Sequence, residues 1–356
     1  MGQPQAWDVF CRVIDNHGDL GVAWRLCADL ADRGERVRLW VDDASALAWM
    51  APQGHPGIEL VAWTDPAPDL APRDVVVETF GCDPPPRFVQ RMAERLPEPV
   101  WINLEYLSAE AYAERSHGLP SPVNLAPGRV LTKRFFFPGF TQATGGLLRE
   151  PGLQAAQESF DRSAWLRDQG VALDSGERLV SLFCYVNPAL GRLLDLLAET
   201  PTLLLATPGA PAAQVSALLG PTLRRGALRA QLVPYAPQPA YDRLLWASDL
   251  NVVRGEDSFV RAHWAGKPFV WHIYPQQGGA HGVKLEAFLD RFVAGADPAL
   301  AASLRSLWLG WNALAPLPSA LPEFDPWRDF TQAWRQGLLA QVDLSSHLLG
   351  IARKTR

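Results

Sequence analysis

The stretch "WDVFCRVIDNHGDLGVAWRLCADLADRGERVRLWVDD", residues 7–43, contains the unit on which the fold depends. Its first apolar segment, 7–14, predicts a strand, and the helix predicted over 22–34 places its apolar side chains on one face. Gly34 lies where a helix C-cap is expected, and the apolar segment 36–43 predicts the next strand. Strand, helix and strand in this order predict a parallel βαβ unit.

The same alternation continues along the chain and is interrupted once, in the turn-rich region 141–176. Before it, further strands are predicted at 58–63, 74–80 and 99–104, and a helix at 85–96. After it, strands are predicted at 178–185, 202–207, 228–234, 249–254 and 268–274, and helices at 188–199, 211–219, 240–248, 257–266 and 281–293. Several strands are apolar throughout, which is typical of a parallel sheet covered on both faces.

The pattern predicts an α/β protein with two facing Rossmann-like domains, an N-terminal domain over 1–155 and a C-terminal domain over 176–325. Two long helical patterns, 297–314 and 327–352, would close the structure, and we expect the last to pack back on the N-terminal domain. Glycosyltransferases of the GT-B type have this arrangement, but hinge-closing binding proteins and epimerases share it, so the architecture alone does not decide the function. Ligands of such folds bind at the carboxyl ends of the strands.

Composition restricts the class of protein. The 356-residue chain is 48% hydrophobic with a net charge of −5, which gives no basic field for nucleic acid. It has no run of 18 apolar residues, so no membrane span is expected. Its four cysteines are far apart, which favours reduced thiols over a disulfide framework or a zinc site. These features predict a cytoplasmic protein.

The first candidate site is the loop "DNHGDLG", where Asp15, Asn16, Gly18 and Asp19 separate a strand from a helix. The spacing of its glycines lacks the dinucleotide fingerprint G-x-G-x-x-G. Asp19 could be a helix N-cap and Asp15 could start an Asx turn. Two carboxylates four residues apart at the edge of a sheet are also suited to holding a cation or taking a proton.

The second candidate site is "RGEDS", residues 254–258, where a strand ends at Arg254 and a helix begins. Helix N-terminal amides favour a diphosphate, so Arg254, Glu256, Asp257 and Ser258 are candidate donor-binding residues. The alternative is an ordinary N-cap formed by Asp257 or Ser258.

Aromatic and amide side chains follow two other predicted strands. Phe183 and Tyr185 point to one side of "FCYVNP", and Gln238 and Tyr241 follow the strand that ends near 234. They could stack on and hydrogen-bond to a nucleobase, or they could be ordinary core residues.

The chain resembles the bacterial protein-arginine rhamnosyltransferases that modify elongation factor P, the EarP family. The stretches that carry the resemblance are "DNHGDLGVAWRLCADL", "FFFPGFTQATGGLLRE", "FCYVNPA" and "YDRLLWASDLNVVRGEDSFVRAHWAGKPFVWHIYPQ", together with the final helices. They extend through both predicted domains.

The resemblance implies transfer of L-rhamnose from dTDP-β-L-rhamnose to one arginine of elongation factor P, with inversion and without a metal or other cofactor. It implies catalytic roles for Asp15, Asp19 and Glu256. It implies a donor site built from Asn16, Gly18, Phe183, Tyr185, Gln238, Tyr241, Arg254, Glu256, Asp257 and Ser258. A glycosyltransferase with a small-molecule acceptor and a non-catalytic regulator that binds a nucleotide sugar are the alternatives.

Overall fold

The computed structural model divides the chain into two compact α/β units. The first consists of the residues up to Pro151 together with those from Gln341 onward, and the second runs from Gly152 to Ala340. The parts of the chain described below are residues 3–14, 17–126, 128–276 and 279–354.

The described residues of the first unit form a seven-stranded sheet. Its strands are β1 (Ala6–Cys11), β2 (Arg36–Val41), β3 (Ile58–Ala62), β4 (Val75–Thr79), β5 (Val100–Leu104), β6 (Pro120–Ala126) and β7 (Arg129–Phe136). Their order is β3-β2-β1-β4-β5-β7-β6, and all neighbours are parallel except β6 and β7. The helices are α1 (Gly18–Asp32), α2 (Leu47–Met50), α3 (Pro86–Glu94) and α4 (Ala111–Ser116).

Apolar side chains cover both faces of this sheet, as the apolar strands predict. Along β1, Val9 and Cys11 join a core beneath α1, whereas Phe10 points to the opposite face and stacks on Trp40 with ring centroids 5.0 Å apart. All five residues of β4 and of β5 are buried. These central strands therefore present little but their ends to solvent, and the carboxyl ends of β1, β2, β4 and β5 form one edge of the sheet.

The hairpin of β6 and β7 was not expected from the sequence. Pro120 and Pro122 lie in β6, the outermost strand of the sheet, where a residue without an N–H group is tolerated. This edge strand is only partly buried, so it lacks the apolar run that marked the central strands.

In the second unit, the described residues form a six-stranded sheet, which is parallel except for the short pair at one edge. Its strands are β8 (Arg178–Leu182), β9 (Thr202–Ala206), β10 (Arg224–Arg225), β11 (Leu228–Leu232), β12 (Leu250–Arg254) and β13 (Phe269–His272), in the order β10-β11-β9-β8-β12-β13. Its helices are α5 (Leu153–Glu158), α6 (Arg162–Asp168), α7 (Leu190–Leu197), α8 (Ala210–Leu219), α9 (Gln238–Ala247), α10 (Asp257–Ala265), α11 (Ala280–Phe292), α12 (Pro298–Trp311) and α13 (Phe324–Leu339).

The expected single helix over 327–352 is wrong, because the chain forms α13 and then a separate helix, α14 (Leu344–Lys354). Asp343 causes the break, since its carboxylate accepts a hydrogen bond from the Ser346 backbone N–H at 2.9 Å and so starts a new helix. The two helices belong to different units, with α13 in the second and α14 in the first.

The segment before α14 is held closely against the rest of the first unit. The Leu344 backbone N–H donates to the Leu147 carbonyl at 3.0 Å, and a Cβ added at Gly146 would lie 2.4 Å from the Val342 carbonyl oxygen. Only glycine permits this approach. Leu344 and Leu348 then join the core beneath α1, where α14 completes the unit.

No helix among the described residues is both long enough and apolar enough to cross a membrane.

Candidate active site

Asp19 lies at the carboxyl edge of the first sheet, in the first turn of α1. The helix begins at Gly18, earlier than the expected residue 22, so His17 takes the N-cap position that the sequence offered to Asp19. The Asp19 side chain is nevertheless buried, and the residue is only 3% exposed. Its negative charge is favoured by the N-terminal end of the helix.

Two hydrogen bonds orient this carboxylate. The Ile14 backbone N–H donates to Oδ2 at 2.9 Å, and the Tyr106 hydroxyl donates to Oδ1 at 3.2 Å. The first bond closes the loop between β1 and α1, and the second joins that loop to the chain that follows β5. Asp19 is therefore held from two sides at the edge where ligands of this fold bind.

Of the other predicted residues of this loop, the structure describes one. Gly18 is the first residue of α1. Asp15 and Asn16 lie outside the described residues, so their predicted roles stay predictions.

Further carboxylates lie at the same edge. Asp42, directly after β2, accepts a hydrogen bond from the Val13 backbone N–H at 3.0 Å. Glu105, directly after β5, accepts one from the Asn103 side-chain amide at 2.9 Å. Together with Asp19, they make this edge suited to a cationic ligand.

In the second unit, the predicted donor residues meet at the carboxyl edge of the second sheet. The Arg254 guanidinium lies 4.6 Å from the ring centroid of Phe183 and 4.4 Å from that of Tyr185. Both rings follow β8, beyond its last residue, Leu182. They therefore hold a cation at the edge of the sheet, an arrangement that the sequence did not reveal.

A tight turn connects Arg254 to α10. Gly255 has a φ of +64°, a left-handed conformation that glycine adopts without strain, and its carbonyl accepts a hydrogen bond from the Trp271 indole at 2.8 Å. The Ser258 hydroxyl donates to the Arg254 carbonyl and accepts from the Arg254 backbone N–H at 3.2 Å. Ser258 is buried and is thus one of the residues that shape the turn. Glu256 occupies the N-cap position of α10.

Gln238 and Tyr241, at the start of α9, reach the same cluster. The Gln238 amide donates to Asp257 Oδ2 at 3.4 Å, and the Tyr241 ring meets Phe183 edge to face at 5.8 Å. Burial raises the pKa of the Tyr241 phenol, next to Ser258 and Asp257. The eight residues predicted in this half of the chain therefore lie at the ends of three strands, β8, β11 and β12, and meet at one edge of the sheet.

A buried ion pair joins the two helices that carry this cluster. Arg261 of α10 donates to Asp242 of α9 through Nε at 2.9 Å and through Nη2 at 2.7 Å. Both side chains are nearly inaccessible, at 2% and 7% exposure. The two-pronged geometry fixes the register of α9 against α10.

Two residues at the end of β13 were missed by the sequence reasoning. The ring of His272 lies 5.2 Å from that of Tyr185, and the ring of Tyr274 lies 5.4 Å from it. Burial and the nearby Arg254 cation lower the pKa of His272 to about 4, which keeps its ring neutral. The signal was available, because "WHIYPQ" contains the end of a buried strand, β13.

Across residues 3–14, 17–126, 128–276 and 279–354, no three His, Cys, Asp or Glu side chains are grouped in a way that could hold a metal ion.

Comparison with known proteins identifies the family. The protein-family model described as "Elongation-Factor P (EF-P) rhamnosyltransferase EarP" matches residues 7–353. The chain belongs to the EarP family of elongation factor P rhamnosyltransferases. It is 45% identical to the protein-arginine rhamnosyltransferase of Pseudomonas aeruginosa over 374 residues, which cover 97% of this chain and 98% of that protein. Its identity to the Neisseria meningitidis serogroup B enzyme is 38%, over 96% of this chain and 93% of that one.

Solved structures agree with this membership. The structure determined for EarP-mediated arginine glycosylation of translation elongation factor EF-P has a TM-score of 0.71 and 33% identity, covering 99% of this chain and 100% of that one. MurG of Acinetobacter baumannii, at a TM-score of 0.52 and 14% identity over 99% and 100% of the two chains, shows likeness in fold alone. The predicted family, the GT-B fold class with two Rossmann-like units and the assignment as a glycosyltransferase are confirmed.

Proposed function

We propose that this EarP family member transfers L-rhamnose from dTDP-β-L-rhamnose to one arginine of elongation factor P, with inversion at the anomeric carbon and without a metal. The observation that carries the proposal is the difference between the groups at the two sheet edges. The first carries oriented carboxylates. The second carries, besides Glu256 and Asp257, a guanidinium and the N-terminal end of a helix. An acceptor that takes part in translation implies that the reaction occurs in the cytoplasm.

The carboxylate edge suits a guanidinium acceptor. Arginine has a pKa of about 13.8, so removing its proton outright at pH 7 costs roughly 9 kcal/mol. An ordinary carboxylate does not supply that as a separate first step. Asp19, already held by Ile14 and Tyr106, can instead accept an N–H bond from the acceptor and take the proton as the new bond forms. We assign Asp15 to the same task.

The second edge suits the departing nucleotide. In the reaction, a guanidinium nitrogen bonds to the anomeric carbon while the bond from that carbon to the diphosphate oxygen breaks. The released dTDP keeps the electron pair, and the proton passes to a carboxylate. The Arg254 cation and the backbone N–H groups at the start of α10 stabilise the negative charge that develops on the diphosphate.

The remaining residues divide between base and sugar. Because Phe183 and Tyr185 pack against Arg254, we assign Gln238 and Tyr241 to the nucleobase. Glu256 is assigned to hydroxyls of the sugar or ribose, or to the acceptor guanidinium. Asn16 and Gly18 complete the predicted donor set, and Ser258 contributes by shaping the turn that presents the α10 amides.

The test is mass spectrometry of elongation factor P after incubation with the protein and dTDP-L-rhamnose. A gain of one deoxyhexose on one arginine is expected. No gain, with donor binding retained, would favour a regulator that binds nucleotide sugars. No gain, with donor consumed when small-molecule acceptors are added, would favour a different acceptor class.

Chelation tests the metal-free step separately. Activity should be unchanged by EDTA, because cationic and amide groups of the protein stabilise the negative charge on the leaving group. Activity that is lost in EDTA and restored by Mg²⁺ or Mn²⁺ would overturn this part of the proposal.

A further inference from the structure

Phe80 has an unusual backbone conformation at the carboxyl edge of the first sheet. It follows β4 directly and has a φ of +58°, in the left-handed region that residues with a side chain rarely adopt. Its backbone N–H donates to the Leu104 carbonyl at 2.6 Å, which helps to hold it there. Such a conformation costs about 1–3 kcal/mol and persists where surrounding contacts determine it, often at functional sites.

The conformation places the Phe80 ring against Tyr106. The two rings are stacked, with centroids 4.2 Å apart and planes inclined by 12°. Tyr106 keeps 37% of its surface exposed, although its hydroxyl reaches the buried Asp19 carboxylate. One side chain thus contacts the predicted catalytic carboxylate and also contributes an aromatic surface at the same edge.

Arginine, unlike lysine, has a planar cation that stacks on aromatic faces while its N–H groups bond to carboxylates. The Tyr106 hydroxyl donates to Asp19, which brings the ring close enough to contact a guanidinium that this carboxylate binds. We propose that Tyr106 is a positioning and specificity residue for the acceptor arginine. Its hydroxyl orients Asp19, and its ring, supported by Phe80, aligns the guanidinium plane. The proposal rests on the proposed function and concerns only the first unit.

The two roles of Tyr106 can be separated by substitution. Tyr106→Phe removes the hydroxyl and keeps the ring, so kcat should fall about tenfold, as for loss of a hydrogen bond to a charged group, while the KM for elongation factor P stays within twofold. Tyr106→Leu removes both and should also raise that KM about two- to fivefold. Phe80→Leu, which removes the supporting ring, should raise the KM with a smaller effect on kcat.

Tyr112 provides matched controls. It is 41% exposed in the neighbouring helix α4 and packs edge to face on Phe137 at 5.6 Å. Tyr112→Phe and Tyr112→Leu should leave both constants within twofold of the wild type. The affinity for dTDP-L-rhamnose, measured by calorimetry, should be unchanged in every variant, because none of the substituted residues belongs to the predicted donor set.

The outcomes distinguish the two proposals. If the wild-type protein transfers no rhamnose to elongation factor P, the proposed function fails before any variant is compared. If it does, equal acceptor KM values for Tyr106→Phe and Tyr106→Leu would overturn the role of the ring. A wild-type kcat in Tyr106→Phe would overturn the role of the hydroxyl. Should Tyr106→Leu not fold, Phe80→Leu decides the first question and Tyr106→Phe the second.

Discussion

Replacing Arg261 by methionine should destabilise the second unit and weaken donor binding. The substitution keeps most of the side-chain volume but leaves the Asp242 carboxylate buried without the two bonds at 2.9 and 2.7 Å that this guanidinium donates. Removing one partner of a buried ion pair costs about 3–5 kcal/mol. With a urea dependence of about 1–3 kcal/mol per M, the unfolding midpoint should shift by at least about 1 M.

The functional effect follows from where the two helices begin. Helix α9 starts with Gln238, and α10 starts with Asp257. A shift of one helix along the other therefore moves these two side chains apart and breaks the hydrogen bond between them. We expect the Kd for dTDP-L-rhamnose to rise at least tenfold under conditions where the variant is fully folded. Tryptophan fluorescence in urea measures stability, and titration calorimetry measures donor affinity.

Arg305→Met is the matched control. Arg305 of α12 also donates to a carboxylate on a neighbouring helix, Asp290 of α11, but the two side chains are 35% and 70% exposed. Its loss should cost about 1 kcal/mol or less, as is usual for accessible pairs, and should leave donor affinity unchanged. If Arg261→Met is no less stable than Arg305→Met, or binds the donor as the wild type does, the reasoning is refuted.

Three further predictions concern the acceptor and pH. Asp19→Ala should abolish transfer with donor affinity nearly unchanged, and calorimetry that finds donor binding lost would contradict its place on the acceptor side. Elongation factor P with lysine at the modified position should be a very poor acceptor, because lysine has no planar fork for carboxylates to align, and comparable single-turnover rates would make Asp19 a plain general base. Burial lowers the pKa of His263 to about 3 and, together with Arg254, lowers that of His272 to about 4. Below about pH 6.5, these histidines are protonated in the unfolded chain but stay neutral in the folded chain. The free energy of unfolding should therefore decrease as the pH is lowered below 6.5, and at pH 5 it should be lower than at pH 7 by about 2 kcal/mol per histidine. Equal stability in urea at pH 7 and pH 5 would contradict those burial effects, and His263→Phe should reduce the pH dependence.

The sequence predicted the fold where burial leaves a clear pattern. Apolar strands alternating with amphipathic helices marked the central strands of both sheets, since these are covered on both faces. The edge hairpin 120–136 was missed because its strands are partly exposed and interrupted by proline. The break at 340–343 was missed because helical periodicity continues through it, and a single capping carboxylate starts the next helix.

Part of the candidate site could be predicted from the rule that ligands of this fold bind at the carboxyl ends of the strands. That rule selected Arg254 and Phe183, which lie at the ends of different strands and meet in the fold. Tyr106 also follows a predicted strand, but the rule gave no sign of its contact with Asp19, which joins positions 87 residues apart. Nor did it show that the ring faces of Phe183 and Tyr185 pack against a guanidinium. Such contacts depend on the packing of distant segments, and no local spacing records them.

The placement of α14 has a consequence for how the protein is made. Leu344 and Leu348 complete the core of the first unit, yet a ribosome adds them only after the whole of the second unit. The second unit is one continuous segment and can fold as soon as it has been synthesised. Domains generally fold in the order in which they emerge, but here the unit that begins first is finished last. Until α14 has been synthesised, the nascent chain exposes the apolar surface beneath α1 that α14 covers.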